Sequence, residues 1–201
     1  HRHSSAASDV YKRQPVEKTA LAEAEIEYHD HVSTTIFARF PIKKAPIEIL
    51  DDYEIIIWTT TPWTMPGNRA VAYGKDIDYT LLEITSVSEN SLAKIGDKIV
   101  VATQLLEEAI KELYILDYNV SKKLKGSEFE GSILAHPLNG YGYDHDVLLL
   151  EADFVTTDQG TGFVHIAPGH GADDFELGKK HNLPIPETVS DNGILFNELP
   201  L

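Results

Sequence analysis

The sequence predicts a mixed α and β fold dominated by strands, with a small β-barrel core and peripheral helices. Three observations point there. Short β-rich runs outnumber helical ones by about seven to two. Their irregular spacing does not follow a regular strand–helix alternation. Hydrophobic residues make up 42% of the 201 positions, enough for a buried core, and no internal repeat or linker divides the chain.

Residues 1–14, "HRHSSAASDVYKRQ", mix serine, alanine and charge without periodicity. They read as a disordered or non-native tail, which leaves 15–201 as one domain. The next stretch starts with helix formers and ends in an alternating β-rich run over 35–42. Residues 53–58 and 78–85 follow as strands, the first almost wholly apolar and therefore expected to be buried. A strand over 98–101 leads into a helix from about Thr103, with Leu105, Leu106, Ala109, Ile110 and Leu113 as its apolar stripe. "GSILAHPL" and "DVLLLEADFV" supply two more strands. "GTGFVHIAPGHGADDFELGKKHN" reads as glycine turn, strand, glycine loop and helix. That helix has Asp173 and Asp174 in its first turn and Lys179, Lys180 and His181 in its last, which suits the dipole at both ends. "DNGILFNELPL" reads as the start of a hairpin.

The composition narrows the function. There is no run of about 18 apolar residues and so no expected membrane span, and no secretory signal. Cysteine is absent, which excludes disulfides, thiolate metal sites and a cysteine nucleophile. A cytoplasmic location is expected. The net charge is −15. A free nucleic-acid binder carries a basic face, so this chain is expected to hold bare nucleic acid weakly. Acidity that merely keeps the chain soluble is the commoner explanation.

"WTTTPWTMPGN", residues 58–68, carries the first chemistry. Threonine is stiff at χ1, and each hydroxyl donates once and accepts twice. Pro62 should push Thr61 into an extended conformation. Thr59, Thr60, Thr61 and Thr64 can then form a fixed neutral set that orients a water or a sugar hydroxyl, with no group able to act as a base. On spacing alone they fit equally a polar strand end, with Asn68 capping a turn.

The second segment is "GTGFVHIAPGHGADDF". His165 lies between Val164 and Ile166 in a strand, so its side chain points opposite to theirs. Asp173 and Asp174 open a helix whose dipole favours an ionised carboxylate, which suits binding an ammonium group better than general-base work. The same residues fit plain dipole partners and a surface or core histidine. A metal site from His165, His170, Asp173 and Asp174 is a rival reading, although the spacing matches no common ligand motif. A phosphate loop fits less well, because "GTGFVH" runs into a strand.

Together the two motifs, in this order and about a hundred residues apart, resemble the editing domain inserted into bacterial isoleucyl-tRNA synthetases. "ALAEAEIEYHD" resembles the strand by which that insertion leaves the catalytic body. The resemblance covers roughly 15–201. The valyl and leucyl relatives share the fold, but carry an Arg-Pro-Glu/Asp-Thr pattern where this chain has Thr61-Pro62-Trp63-Thr64. The isoleucyl resemblance therefore rests mainly on Thr61 and Trp63, and a valyl-type editing domain is the nearest alternative. Met65 and Gly67 stand where the family more often has leucine and alanine.

The resemblance implies a hydrolase that clears wrongly attached valine from isoleucine tRNA. Thr60, Thr61 and Asp174 would be catalytic, with Asp174 gripping the α-ammonium. Thr59, Thr64, Asn68 and His165 would bind substrate, with His165 blocking the extra methylene of isoleucine. Trp63 is expected to support the motif by packing. No cofactor is implied for editing. ATP and magnesium belong to synthetic chemistry, whose signature motifs are absent, so no ligase activity is expected from this chain. The implied partners are the 3′ end of tRNA(Ile) carrying valine and the remainder of the synthetase, with the protein a monomer.

Overall fold

The computed structural model describes residues 12–14, 19–21, 27, 32–196 and 199. Strand β1 (Lys12–Gln14) pairs antiparallel with β2 (Thr19–Leu21), so the last three positions of the expected tail lie in a strand. The rest of that tail lies outside the described residues, as does most of the helix-forming stretch before residue 32. None of the helices among the described residues is long and apolar enough to cross a membrane.

The remaining strands form a nine-stranded sheet: β3 (Ile36–Lys44), β4 (Glu54–Thr59), β5 (Ala70–Tyr73), β6 (Asp78–Val87), β7 (Lys98–Ala102), β8 (Ile115–Lys125), β9 (Ile133–Ala135), β10 (Asp146–Glu151) and β11 (Phe163–Ile166). Their order is β11-β5-β10-β9-β3-β4-β7-β6-β8. Six of these strands match the sequence expectation closely, and β9 is a shorter version of its run. The isoleucine run of β4 is buried at Ile55, Ile56 and Ile57, as its unbroken apolar pattern requires.

Two strands of this sheet escaped the sequence reading. The four residues of β5 are all buried between β10 and β11, and so short and alanine-rich a run shows no period. β8 is long, but it lies at the edge of the sheet and is mostly exposed, so no apolar face marks it. Its lysines at 122, 123 and 125 are typical protection for an open edge.

The sheet closes on itself. β11 and β6 stand near opposite ends of the strand order, yet the rings of Tyr79 and Phe163 lie 4.5 Å apart. The Tyr79 hydroxyl donates to Gly162 O at 2.7 Å and accepts from Gly74 N at 3.0 Å. Ala102 N donates to Thr161 O at 2.8 Å. Tyr73 and Phe129 complete an aromatic knot at this seam, and burial pushes the Tyr79 hydroxyl's pKa up. The barrel encloses one main core, which includes Phe40, Tyr79, Leu81 and Phe129.

Helices cover the outside. A 3-10 turn, Thr103–Leu105, leads into α1 (Leu106–Glu112). Leu105, Leu106 and Ala109 are buried, and Ile110 and Leu113 pack against the core, as the stripe predicted. α2 (Ala172–Lys180) seats Leu177 in a second cluster with Ala70, Ala72 and Ile166. The hairpin start expected over 191–201 lies partly outside the described residues, and its described part shows a turn with a Val189–Leu195 bridge.

The seam allows a direct check. Gly162 has φ +80°, and a Cβ there would lie 2.3 Å from Ala102 Cβ. Gly162→Ala combines left-handed strain with overpacking and is expected to cost about 2–5 kcal/mol, read as a fall in the chemical denaturation midpoint. A variant of unchanged stability would show that the seam is not tightly closed.

Candidate functional site

Strand β4 ends at Thr59, and Pro62 opens a 3-10 turn, Pro62–Gly67, because proline suits the first turn of a helix and cannot extend a ladder. Thr61 stands between them at φ −127°, ψ 63°. The expected extended state is only half realised, since Thr64 N already returns to Thr61 O at 3.1 Å.

The threonines divide in two. Thr59 and Thr64 are buried. Thr59 Oγ1 accepts from Thr61 N at 3.1 Å, and Thr64 Oγ1 donates to Thr61 O at 2.9 Å. Thr60 and Thr61 are exposed. From behind, His136 Nε2 donates to Met65 O at 3.0 Å while its Nδ1 accepts from Leu138 N. Burial pushes His136 down to about 4. No sequence motif marked His136 as a support for this segment.

β11 alternates as expected. Val164 and Ile166 face the α2 cluster, while Phe163 enters the main core. His165 shares Phe163's face and reaches the open end of the barrel. There Nε2 lies 2.9 Å from Thr64 Oγ1, and Nδ1 lies 2.7 Å from Asn68 Nδ2. Burial, reinforced by nearby His136 and His170, pushes its pKa down to about 4, so the ring is neutral at physiological pH.

The first turn of α2 brings Asp174 back over the loop that follows β11, where its Oδ2 accepts from Ala167 N at 2.7 Å. The helix dipole had predicted a low pKa for this carboxyl. Burial instead raises it, against the lowering by the Ala167 N–H. His170 Nε2 meets Thr188 Oγ1 at 2.6 Å, and its pKa is lowered by burial despite Asp174 beside it. Trp63 is 51% exposed, and its ring packs edge-on against His170 at 5.2 Å. A Cβ at Gly67 would lie 3.0 Å from His170 Cδ2, so this glycine gives that ring its room.

These segments share one cleft of about 430 Å³, lined by Thr59, Thr60, Thr61, Thr64, His165 and Asp174 among others. No lysine or arginine is among the lining residues, and Asp174 is their one carboxylate. Phe163 and Ala167 contribute apolar lining. Such a cleft can take a cation beside a neutral hydroxylated group, and it holds no cationic side chain for a phosphate.

One expectation needs correction. Asn68, expected to bind substrate, is fully buried and does not line the cleft. Its amide is taken up by Ala70 O, His165 and Ile166 O, while its backbone N–H closes the 3-10 turn on Met65 O at 3.0 Å, as the turn-capping reading expected. The metal reading finds no assembled ligand set: no group of three or more metal-ligating side chains occurs among the described residues. Asp173 lines a separate hollow with Glu176 and Lys180, and both nitrogens of His165 are engaged by protein.

Known proteins resemble this chain in sequence and fold. Residues 78–197 match the family described as leucyl-tRNA synthetase, editing domain. The match takes in His165 and Asp174, and the threonine segment lies before it. The isoleucine--tRNA ligase of Gluconobacter oxydans (strain 621H) is 51% identical over 181 residues, covering 89% of this chain and 19% of that protein. That of Pelagibacter ubique (strain HTCC1062) is 50% identical over 186 residues, covering 92% and 20%. The chain thus spans about a fifth of the length of these relatives. Among solved structures, the P. knowlesi cytosolic leucyl-tRNA synthetase editing domain aligns with a TM-score of 0.58 at 12% identity, over 74% of this chain and 62% of that one. At that identity the likeness is one of fold.

The state of Asp174 can be tested without a substrate. Its pKa is higher folded than unfolded, so its contribution is full below the unfolded value and is lost as pH rises through the folded one. In Asp174→Asn the side-chain oxygen still accepts from Ala167 N while the charge is gone. The variant is expected to melt at or above the parent near neutral pH, with the gap closing as pH falls through the carboxylate range. A variant clearly less stable at neutral pH would show the buried charge to be net stabilising.

Proposed function

The chain belongs to the leucyl-tRNA synthetase editing-domain family, and from that premise we propose that it is the proofreading part of an isoleucine--tRNA ligase, hydrolysing the ester of valine wrongly attached to tRNA(Ile). The observation that carries this is the cleft itself, whose lining combines a lone carboxylate, exposed threonine hydroxyls and the apolar side chains of Phe163 and Ala167. An aminoacylated tRNA end presents matching groups: one ammonium, neutral ribose hydroxyls and a small apolar side chain.

An aminoacyl ester is already activated, so placing a water matters more than a strong base. In this reading Thr60 and Thr61 orient the water and the terminal ribose. Asp174 accepts from the α-ammonium, whose arrival offsets the burial that raises its pKa. His165 walls the side-chain subsite. Its low pKa and its two occupied nitrogens argue against a proton-transfer role. One extra methylene against a fixed wall costs about 1–3 kcal/mol, which is enough to hold back isoleucine.

The net charge of −15 fits a division of labour, in which the rest of the ligase grips the tRNA and this part receives only the flexible 3′ end. The setting is cytoplasmic, with the domain acting as a monomer and without a cofactor of its own.

Deacylation of Val-tRNA(Ile) tests this directly. Asp174→Ala is expected to lower kcat/KM about 10- to 100-fold, as loss of a charge-assisted hydrogen bond implies. An unchanged rate would remove Asp174 from the mechanism. Chelators should leave the parent rate unaltered, whereas inhibition by them would favour a metal-dependent hydrolase. The isolated chain should bind tRNA weakly at physiological salt, and nanomolar affinity would contradict the division of labour.

A further inference from the structure

Asn68 is fully buried and sits where the threonine segment joins β5. Its Nδ2 lies 2.8 Å from Ala70 O, 2.7 Å from His165 Nδ1 and 3.4 Å from Ile166 O. Two of these neighbours are main-chain carbonyls, which only accept. The amide must therefore turn its NH2 to that side, because the flipped amide would set Oδ1 against two carbonyl oxygens. With Nδ2 a donor, His165 Nδ1 must accept and carries no proton. A neutral ring then holds its proton on Nε2, 2.9 Å from Thr64 Oγ1, and Thr64 passes its own proton to Thr61 O at 2.9 Å. One direction of donation runs from Asn68 through His165 and Thr64 to Thr61.

We propose that Asn68 is a positioning residue: it fixes the tautomer and ring orientation of His165, and thereby joins the wall of the side-chain subsite to the threonine segment as one hydrogen-bonded unit. A second observation points the same way. Asn68 Oδ1 is buried without a partner in the structure, a penalty that proteins seldom leave in place. Asn68 presents a donor to His165 at the expense of its own acceptor. Aspartate, which is nearly isosteric, would reverse the relay. With both nitrogens held, the ring is kept from swinging to widen the cavity. The titratable groups around it are His136 and His170, with Asp174 beside His170.

The tautomer stands on geometry alone, and its effect on specificity rests on the editing function proposed above. The test is 15N-histidine NMR of the 201-residue chain, with the His165 signals assigned by their loss in His165→Gln. The expected result is an unprotonated Nδ1 and a protonated Nε2, unchanged from pH 8 to pH 5. A proton on Nδ1, or a ring averaging between tautomers, would overturn the proposal without any variant having to fold. In Asn68→Asp, an acceptor at this site, the proton should appear on Nδ1 and the titration midpoint should rise by at least one pH unit. An unchanged His165 spectrum in that folded variant would also overturn it.

The same substitution in a full-length isoleucine--tRNA ligase should change the ratio of Val-tRNA to Ile-tRNA hydrolysis at least fivefold. A switched tautomer with an unchanged ratio would count against His165 as the specificity wall and leave the role of Asn68 standing.

Discussion

The cleft depends on one strand pairing. β5 lies antiparallel to β11 in the register Ile166↔Ala70 and His165↔Val71, and Arg69 N extends the ladder to Ile166 O at 2.9 Å. The threonine turn runs directly into β5, and the loop to α2 runs directly out of β11. This register therefore sets residues 59–68 beside residues 165–174, although about a hundred positions of sequence separate them. A slip of one residue would turn His165 into the α2 cluster and Val164 into the cleft. The Tyr79 hydroxyl on Gly162 O and the Ala102–Thr161 bond fix the start of β11, so the barrel seam guards the register.

Burial moves the ionisable groups in and behind the cleft toward their neutral forms. His165, His170 and His136 are all lowered, and Asp174 is raised. A site that penalises charge in this way rewards a ligand that brings the missing partner. For Asp174 that partner is a cation, and in its absence the Ala167 N–H is the strongest group favouring the ionised form. The histidines work differently. Each is neutral, and His136 and His165 both donate through Nε2 and accept through Nδ1, so they serve as rigid polar struts rather than proton carriers.

The sequence exposed whatever carried a period or a motif. Ile55 to Ile57 announced a buried central strand, the stripe from Leu105 to Leu113 announced α1, and alternation alone told which way His165 points. The two motifs also identified the family. β5 was illegible because four small buried residues have no polar face to alternate with, and β8 because an exposed edge strand has no apolar one. The full burial of Asn68 was not legible. It depends on where a strand pairing puts the neighbouring carbonyls and the His165 ring, and a turn motif does not encode that. His136 carried no signal, since its contact with Met65 spans 71 residues and exists only once β9 and β4 flank β3.

The division among the threonines explains why so many are needed. A hydroxyl that orients a ligand must be held still, yet keep its hydrogen-bonding capacity unspent. One threonine cannot easily do both, because the bonds that fix its backbone tend to consume its own oxygen. Here Thr59 holds the amide of Thr61, Thr64 holds its carbonyl, and both spend their hydroxyls inside the fold. Thr60 is left with its hydroxyl open to the cleft, and Thr61 with a single weak approach to Thr59 at 3.4 Å. β-Branching restricts their χ1, and Pro62 restricts the backbone that carries them. Serine at 59 or 64 could form the same bonds but would lose the methyl packing that holds the rotamer. The ladder is thus two buried clamps and two free rungs.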